Sequence, residues 1–236
     1  MSCRLMLTGE YMPHVYFKDR SDAGKQLAQS LENLRGRDSR VLALPRGGVP
    51  VAVEIAKFLH IPMDIFVARK LGAPHNPEFG VGAIAEGGVI VFDNSTLRSL
   101  GLTQVDMQDI ITEEFAEMER RIALYRGNRH NLQIGNKTVI LVDDGLATGI
   151  TALAAIRSLK LSKPKEIILA VPVCAQDSAD NLRQEGITIT CLHAPHNFMA
   201  VGLWYKNFAQ TTDQEVLDIL TRANKEMVIG HGVRRR

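Results

Sequence analysis

Short runs of consecutive apolar residues alternate with stretches whose apolar positions recur every three or four residues, and that alternation predicts an α/β chain. In residues 21–34, Ala23, Leu27, Leu31 and Leu34 share one helical face, with Ser21 or Asp22 as the expected N-cap. Val41-Leu42-Ala43-Leu44 reads as a buried strand running into the turn Pro45-Arg46-Gly47-Gly48. A helix over 50–59 and a strand over 63–68 follow, which makes a βαβ unit with parallel strands and a right-handed crossover. Residues 71–80, rich in Gly, Pro, His and Asn, are expected to form a loop. The runs 81–85 and 89–92 flank Glu86-Gly87-Gly88 and predict a hairpin. Residues 103–125 read as a long amphipathic helix with Met107, Ile110, Ile111, Phe115, Met118 and Ile122 facing inwards. Strands over 138–142, 166–173 and 187–192 then alternate with helices over 149–161 and 175–184, and a last helix covers 212–224. Residues 194–210 break the rhythm with Pro195, His196, Asn197, Phe198, Trp204 and Tyr205. The whole predicts a single domain over 1–236, with a mostly parallel central sheet and helices on both faces.

Composition changes this picture little. A chain of 236 residues, 45% hydrophobic and 23% charged, can bury a sizeable core without disulfides. Twenty-eight Lys and Arg against 26 Asp and Glu give no charge signature of a nucleic-acid or membrane partner. The basic run Arg234-Arg235-Arg236 is expected to be a solvated tail. Cys3, Cys174 and Cys191 are odd in number and lack zinc-site spacing, so a reduced, cytoplasmic compartment is expected. Neither a signal peptide nor a membrane span is expected from the apolar pattern.

The chemistry concentrates where one apolar strand ends. Val139 to Val142 leads into Asp143-Asp144, then through Gly145 to Gly149 into a helix. Backbone N–H groups at such a helix start favour an anion. Small residues at Gly145, Ala147 and Gly149 let the backbone approach a phosphate, and Thr148 and Thr151 add hydroxyl donors. Two neighbouring carboxylates beside a phosphate repel unless a sugar diol or a divalent cation intervenes. A ribose 5-phosphate group meets both demands.

The segment 139–151 resembles the phosphoribosyl-pyrophosphate motif of the type I phosphoribosyltransferases. The resemblance implies that Asp143 and Asp144 hold the ribose hydroxyls, and contact magnesium only through ligand or water. It implies that Ala147, Thr148, Gly149 and Thr151 cradle the 5′-phosphate. Leu44-Pro45-Arg46-Gly47-Gly48-Val49-Pro50 is similar to the family's pyrophosphate loop, so Arg46, Gly47 and Gly48 are expected at the leaving group. Arg69-Lys70 stands where the family often carries a basic residue contacting substrate, and Lys70 is the preferred candidate. The family's mobile loop and paired strands fall on 71–92, and its hood on 194–210. His75, Glu78 and Glu86 are the acid or base candidates of the loop region, each equally readable as a solvated side chain. Phe198, Trp204 or Tyr205 either stack on an aromatic acceptor or pin the segment to the core.

The resemblance covers about residues 17–210 and is strongest to a bacterial branch of predicted phosphoribosyltransferases with no acceptor assigned. Ala147 stands where the hypoxanthine-guanine branch has an aspartate, which speaks against that substrate class. Glu78-Phe79-Gly80 resembles a Glu-Tyr-Gly of the adenine branch over three positions only. The resemblance implies a small-molecule ligand with Mg2+, no nucleic-acid or membrane partner, and allows a homodimer. A non-catalytic sensor of the same ligand is the rival reading, though no helix-turn-helix segment stands out. A dinucleotide-binding oxidoreductase lacks its Gly-x-Gly-x-x-Gly after the first strand.

Overall fold

The computed structural model describes residues 16–127 and 132–232. Cys3 and the basic tail 234–236 lie outside the described residues. Five parallel strands form the central sheet: β1 (Ser39–Ala43), β2 (Met63–Ile65), β6 (Thr138–Val142), β7 (Glu166–Val173) and β8 (Thr188–His193), in the order β2-β1-β6-β7-β8. Alternate side chains of β6 enter two separate cores, as the two-residue period of a strand demands. Ile140 and Val142 join the core that includes α2 (Gly48–Leu59) and α7 (Asp213–Gly232). Val139 and Leu141 join the one built on α5 (Ile150–Leu161). A strand covered on both faces is therefore apolar throughout, and all five residues of β6 are buried.

The first helix, α1 (Arg20–Gln29), starts earlier than the sequence suggests. Its N-cap is Asp19, whose Oδ1 accepts from the Asp22 N–H at 2.9 Å while Asp22 Oδ2 accepts from the Lys18 N–H at 2.9 Å. This reciprocal arrangement follows the capping-box logic and displaces Ser21 and Asp22 from the cap position. The helix yields to a 3-10 turn at Glu32–Leu34, which still buries Leu31 and Leu34.

Two expectations are corrected in the middle of the chain. The strand read over 63–68 divides: β2 ends at Ile65, and Ala68 opens β3 (Ala68–Ala73) in a second sheet. Residues 71–80 form a hairpin rather than a loop, because β3 pairs antiparallel with β4 (Asn76–Ala85) as far as Ala73 opposite Asn76. The glycines there serve close strand approach. A Cβ on Gly72 would lie 2.3 Å from the Pro77 carbonyl oxygen, and the register shifts on both sides of Gly72. The expected second hairpin is present, with β5 (Val89–Phe92) on β4 and the Gly87-Gly88 turn at positive φ. The three antiparallel strands pack over α5.

Two helices link the sheets, the short α3 (Asn94–Ser99), absent from the sequence reading, and α4 (Gln108–Arg126). Met107 and Met118 are fully buried as expected, but Phe115 is 43% exposed at the margin of the buried stripe. The last crossover helix, α6 (Gln176–Arg183), connects β7 to β8.

Candidate functional site

The C-terminal ends of β1 and β6 lie side by side, since Ala43 pairs with Val142 and the Leu44 N–H donates to the Val142 carbonyl at 2.8 Å. Adjacent strand ends therefore deliver the 45–50 loop and the Asp143-Asp144 loop to one place. That is where ligands bind in parallel α/β sheets. The two loops touch: a Cβ on Gly47 would stand 2.0 Å from Asp144 Oδ2, so only glycine leaves room for that carboxylate. The Pro45–Arg46 peptide is cis.

Asp143 and Asp144 are part-buried and only partly neutralised. Asp143 Oδ1 accepts from the Asp144 N–H at 2.9 Å, while Asp144 Oδ2 pairs with Arg20 Nε at 2.7 Å. Burial drives the Asp143 carboxyl well above its ordinary range, and the neighbouring Asp144 charge pushes it further. Burial also raises Asp144, against the Arg20 guanidinium, which pulls it down. The sequence reading missed Arg20, which comes from the start of α1. Its Nη1 also donates to the Ala209 carbonyl at 2.7 Å, and its guanidinium lies 3.8 Å from the centre of the Phe208 ring.

Behind the acidic pair the loop is fixed by its backbone. The Leu146 N–H donates to Val173 O at 2.9 Å, the Ala175 N–H donates to Leu146 O at 2.8 Å, and the Ser178 hydroxyl donates to Ala147 O. Ahead of these anchors Ala147 and Thr148 are exposed, Gly149 turns at φ +76°, and Thr151 lies in the first turn of α5. The hydroxyls of Thr148 and Thr151 make no hydrogen bond among the described residues, and the first N–H groups of α5 have no partner within their helix. A tethered loop with free donors at a helix start is suited to an anion.

The other expected site residues are distributed as follows. Arg46 Nη1 lies 3.3 Å from Asp213 Oδ1, at the start of α7. Lys70 stands inside β3 rather than at the end of β2, and its Nζ donates to Glu78 O at 2.9 Å across the hairpin. Its side chain is 41% exposed and that of Glu78 96% exposed. His75 is exposed in the turn of the same hairpin.

Glu86 departs from the acid or base role considered for it. Arg126 holds it through two bonds at 2.8 and 2.9 Å, and the Val67 N–H donates to it at 2.6 Å. The Ser158 hydroxyl donates to the Glu86 carbonyl, and Ser158 lies nine residues into α5, about 13 Å along the axis from its N-terminal start. Burial raises its carboxyl and Arg126 opposes the rise.

The 194–210 segment is pinned to the core by its aromatics. Tyr205 is 5% exposed, packs on Phe17 and donates its hydroxyl to the Asp144 carbonyl at 2.6 Å. Trp204 stacks with Tyr16 at 4.6 Å and His193 at 5.6 Å, and Phe198 is half-buried. Cys191 is half-buried in β8, its thiol directed to the His193 carbonyl at 3.1 Å.

No group of three metal-ligating His, Cys, Asp or Glu side chains occurs among the described residues. Two adjacent carboxylates still fit a magnesium ion that keeps its waters and takes its remaining oxygens from a phosphorylated ligand. Among the described residues no helix is long and apolar enough to cross a membrane.

Residues 19–203 match the family model described as a phosphoribosyl transferase domain. Over 210 residues the chain is 41% identical to provisionally named phosphoribosyl transferases from two strains of Mycobacterium tuberculosis, CDC 1551 and H37Rv. The alignment covers 89% of this chain and 47% of each relative, so the chain spans about half the length of the curated relatives it matches. The crystal structure of TT1426 from Thermus thermophilus is similar at a TM-score of 0.72 and 37% identity, covering 87% of this chain and 98% of that one.

Proposed function

The chain belongs to the phosphoribosyl transferase family, and from that premise we propose that it binds 5-phosphoribosyl 1-pyrophosphate and transfers the phosphoribosyl group to a nitrogenous acceptor. The observation that carries this reading is the acidic pair Asp143–Asp144, part-buried, balanced by one arginine, and set beside an open helix start. Ribose 2′- and 3′-hydroxyls donate to the two carboxylates and replace the Arg20 contact on Asp144. The 5′-phosphate takes the N–H groups of residues 147–151 and the hydroxyls of Thr148 and Thr151. Pyrophosphate lies along the 45–48 loop, where Arg46 supplies charge and Gly47 and Gly48 supply close backbone approach. Asp143 and Asp144 would hold a magnesium ion indirectly, and its charge would help neutralise the leaving group.

In the reaction the acceptor nitrogen's lone pair forms the bond to ribose C1. The C1–O bond breaks with its electron pair leaving on pyrophosphate, and the acceptor nitrogen's proton passes to solvent water. Positioning and charge stabilisation supply most of the rate in such a reaction. Lys70 and Glu78 sit on the β3–β4 hairpin, which in this reading closes over the site, where water exclusion would protect an oxocarbenium-like transition state. Trp204 and its aromatic neighbours belong to the hood beside the acceptor.

The test is pyrophosphate release from phosphoribosyl pyrophosphate, with magnesium, across a panel of nitrogenous bases. Base-dependent release from one member is expected. Tight binding of phosphoribosyl pyrophosphate with no release from any member would contradict the transferase and leave a ligand sensor.

A further inference from the structure

We infer that Asp213, the first residue of α7, is a positioning residue for the pyrophosphate end of the site, holding Arg46 by one nitrogen and leaving the other edge of its guanidinium for the ligand. This rests on the phosphoribosyl pyrophosphate reading above. Arg46 Nη1 is engaged by Asp213 Oδ1 at 3.3 Å, whereas Nε and Nη2 make no hydrogen bond among the described residues. A guanidinium can grip two oxygens through its Nη1/Nη2 end or through its Nε/Nη2 side. With Nη1 taken, the side edge remains, and a phosphate group fits it with two parallel bonds.

Asp213 is itself fixed. The Tyr125 hydroxyl donates to the same Oδ1 at 2.5 Å, and Arg120 Nη2 stands 3.5 Å from Oδ2. Arg120 is in turn held by Glu117 through bonds of 2.6 and 3.0 Å, and Glu117 also takes Arg121 Nε at 2.7 Å. Charged contacts therefore run without a gap from the middle of α4 to the 45–48 loop. The protonation states agree with this order. Its bond from Tyr125 holds the Asp213 carboxyl below the usual range. Burial, followed by that same bond, pushes the Tyr125 phenol up to about 12, so near neutral pH it is a donor facing an ionised acceptor. Three arginines meet two carboxylates in this cluster, which leaves net positive charge for an anionic ligand.

Two opposing consequences of removing Asp213 make the inference testable by sign. Losing a carboxylate raises the positive potential at Arg46 and favours any anion. Losing the tether frees a long side chain that the ligand must then immobilise, a penalty of about 3- to 10-fold in affinity. If positioning governs, Asp213→Ala weakens phosphoribosyl pyrophosphate by that factor and leaves ribose 5-phosphate unchanged, while Asp213→Asn, whose amide oxygen still accepts from Arg46, loses less. Tyr125→Phe, which removes one of the bonds fixing Asp213, gives a smaller loss in the same direction.

Calorimetric titration of both ligands into wild type and the three variants, with a melting curve for each, decides the matter. Tighter binding of phosphoribosyl pyrophosphate by Asp213→Ala, which removes the acceptor as well as the charge, would show that Asp213 masks Arg46, and would overturn the inference. Equal losses for both ligands, together with a lowered melting temperature, would show a structural residue and overturn it as well. Wild type that binds neither ligand overturns the functional reading and this inference together. Wild type that binds, with variants indistinguishable from it, overturns the inference alone.

Discussion

Two carboxylate sites in this molecule are withdrawn from water, and burial raises the acids in both. At Glu86 the demand created by burial is met in full. One guanidinium grips both oxygens, a backbone N–H adds a third bond, and Arg126 also donates to the Ile65 carbonyl at 2.7 Å. At Asp143–Asp144, among the described residues, one arginine pairs with Asp144 and the hydrogen bond to Asp143 comes from its neighbour's N–H alone. A buried acid that is fully paired belongs to the scaffold, whereas one left short of partners marks the place where something outside the chain completes the set. The raised acid is common to both; the unmet hydrogen-bonding and charge demand separates them.

The largest effect that sharpens this contrast is on ligand affinity. Asp143→Asn with Asp144→Asn removes two charge-assisted acceptors, each contributing about 1.5–3 kcal/mol. Phosphoribosyl pyrophosphate binding should fall by roughly 10²- to 10⁴-fold in calorimetry, while circular dichroism shows a folded chain. Unchanged affinity would remove the pair from the site.

Glu86→Ala should do the reverse. Leaving Arg126 buried without its partner costs about 3–5 kcal/mol of stability in a denaturant titration. Affinity in the remaining folded fraction should stay at the wild-type value. A selective loss of turnover in a stable Glu86→Ala protein would return Glu86 to the catalytic candidates.

Arg20→Ala comes next. It deprives Asp144 of its ion pair, at a cost of about 1.5–3 kcal/mol near neutral pH. The cation favours ionised Asp144, so the cost should diminish as the pH falls and Asp144 takes up a proton. A destabilisation independent of pH would show that Arg20 acts mainly through its packing on Phe208.

The smallest effect is the single substitution Asp143→Asn. The folded value of Asp143 lies above its ordinary one, so the folded chain binds a proton more tightly than the unfolded chain. Wild type therefore loses stability as pH rises from the ordinary aspartate range through the raised value. The asparagine variant escapes that loss and should melt higher at pH 7, by about 2–4 °C for each kcal/mol, with the gap closing below about pH 4. A lower melting temperature at pH 7 would mean that the acidic pair is satisfied within the fold.

Much of this arrangement is legible along the chain because its causes are local. A parallel strand covered on both faces is a continuous apolar run, so β1, β6 and β7 declare themselves, and Asp143-Asp144 stands out immediately after such a run. The missed features depend on distance in sequence. Arg20 reaches Asp144 across 124 positions and Asp213 reaches Arg46 across 167, and neither carries a spacing that marks it. Glu86 could be separated from a catalytic acid only once Arg126, 40 positions away, had been placed. Residues 71–80 misled for a different reason. Glycine and proline usually signal a loop, but here Gly72 permits close strand approach inside a hairpin.

The central claim is that the unmet demand at Asp143–Asp144 is completed by a ribose carrying phosphate and pyrophosphate. Calorimetric titration with phosphoribosyl pyrophosphate, with and without magnesium and with ATP as the control, tests it most directly. Selective binding strengthened by magnesium is the predicted result. No binding, or binding no different from that of ATP, would contradict it.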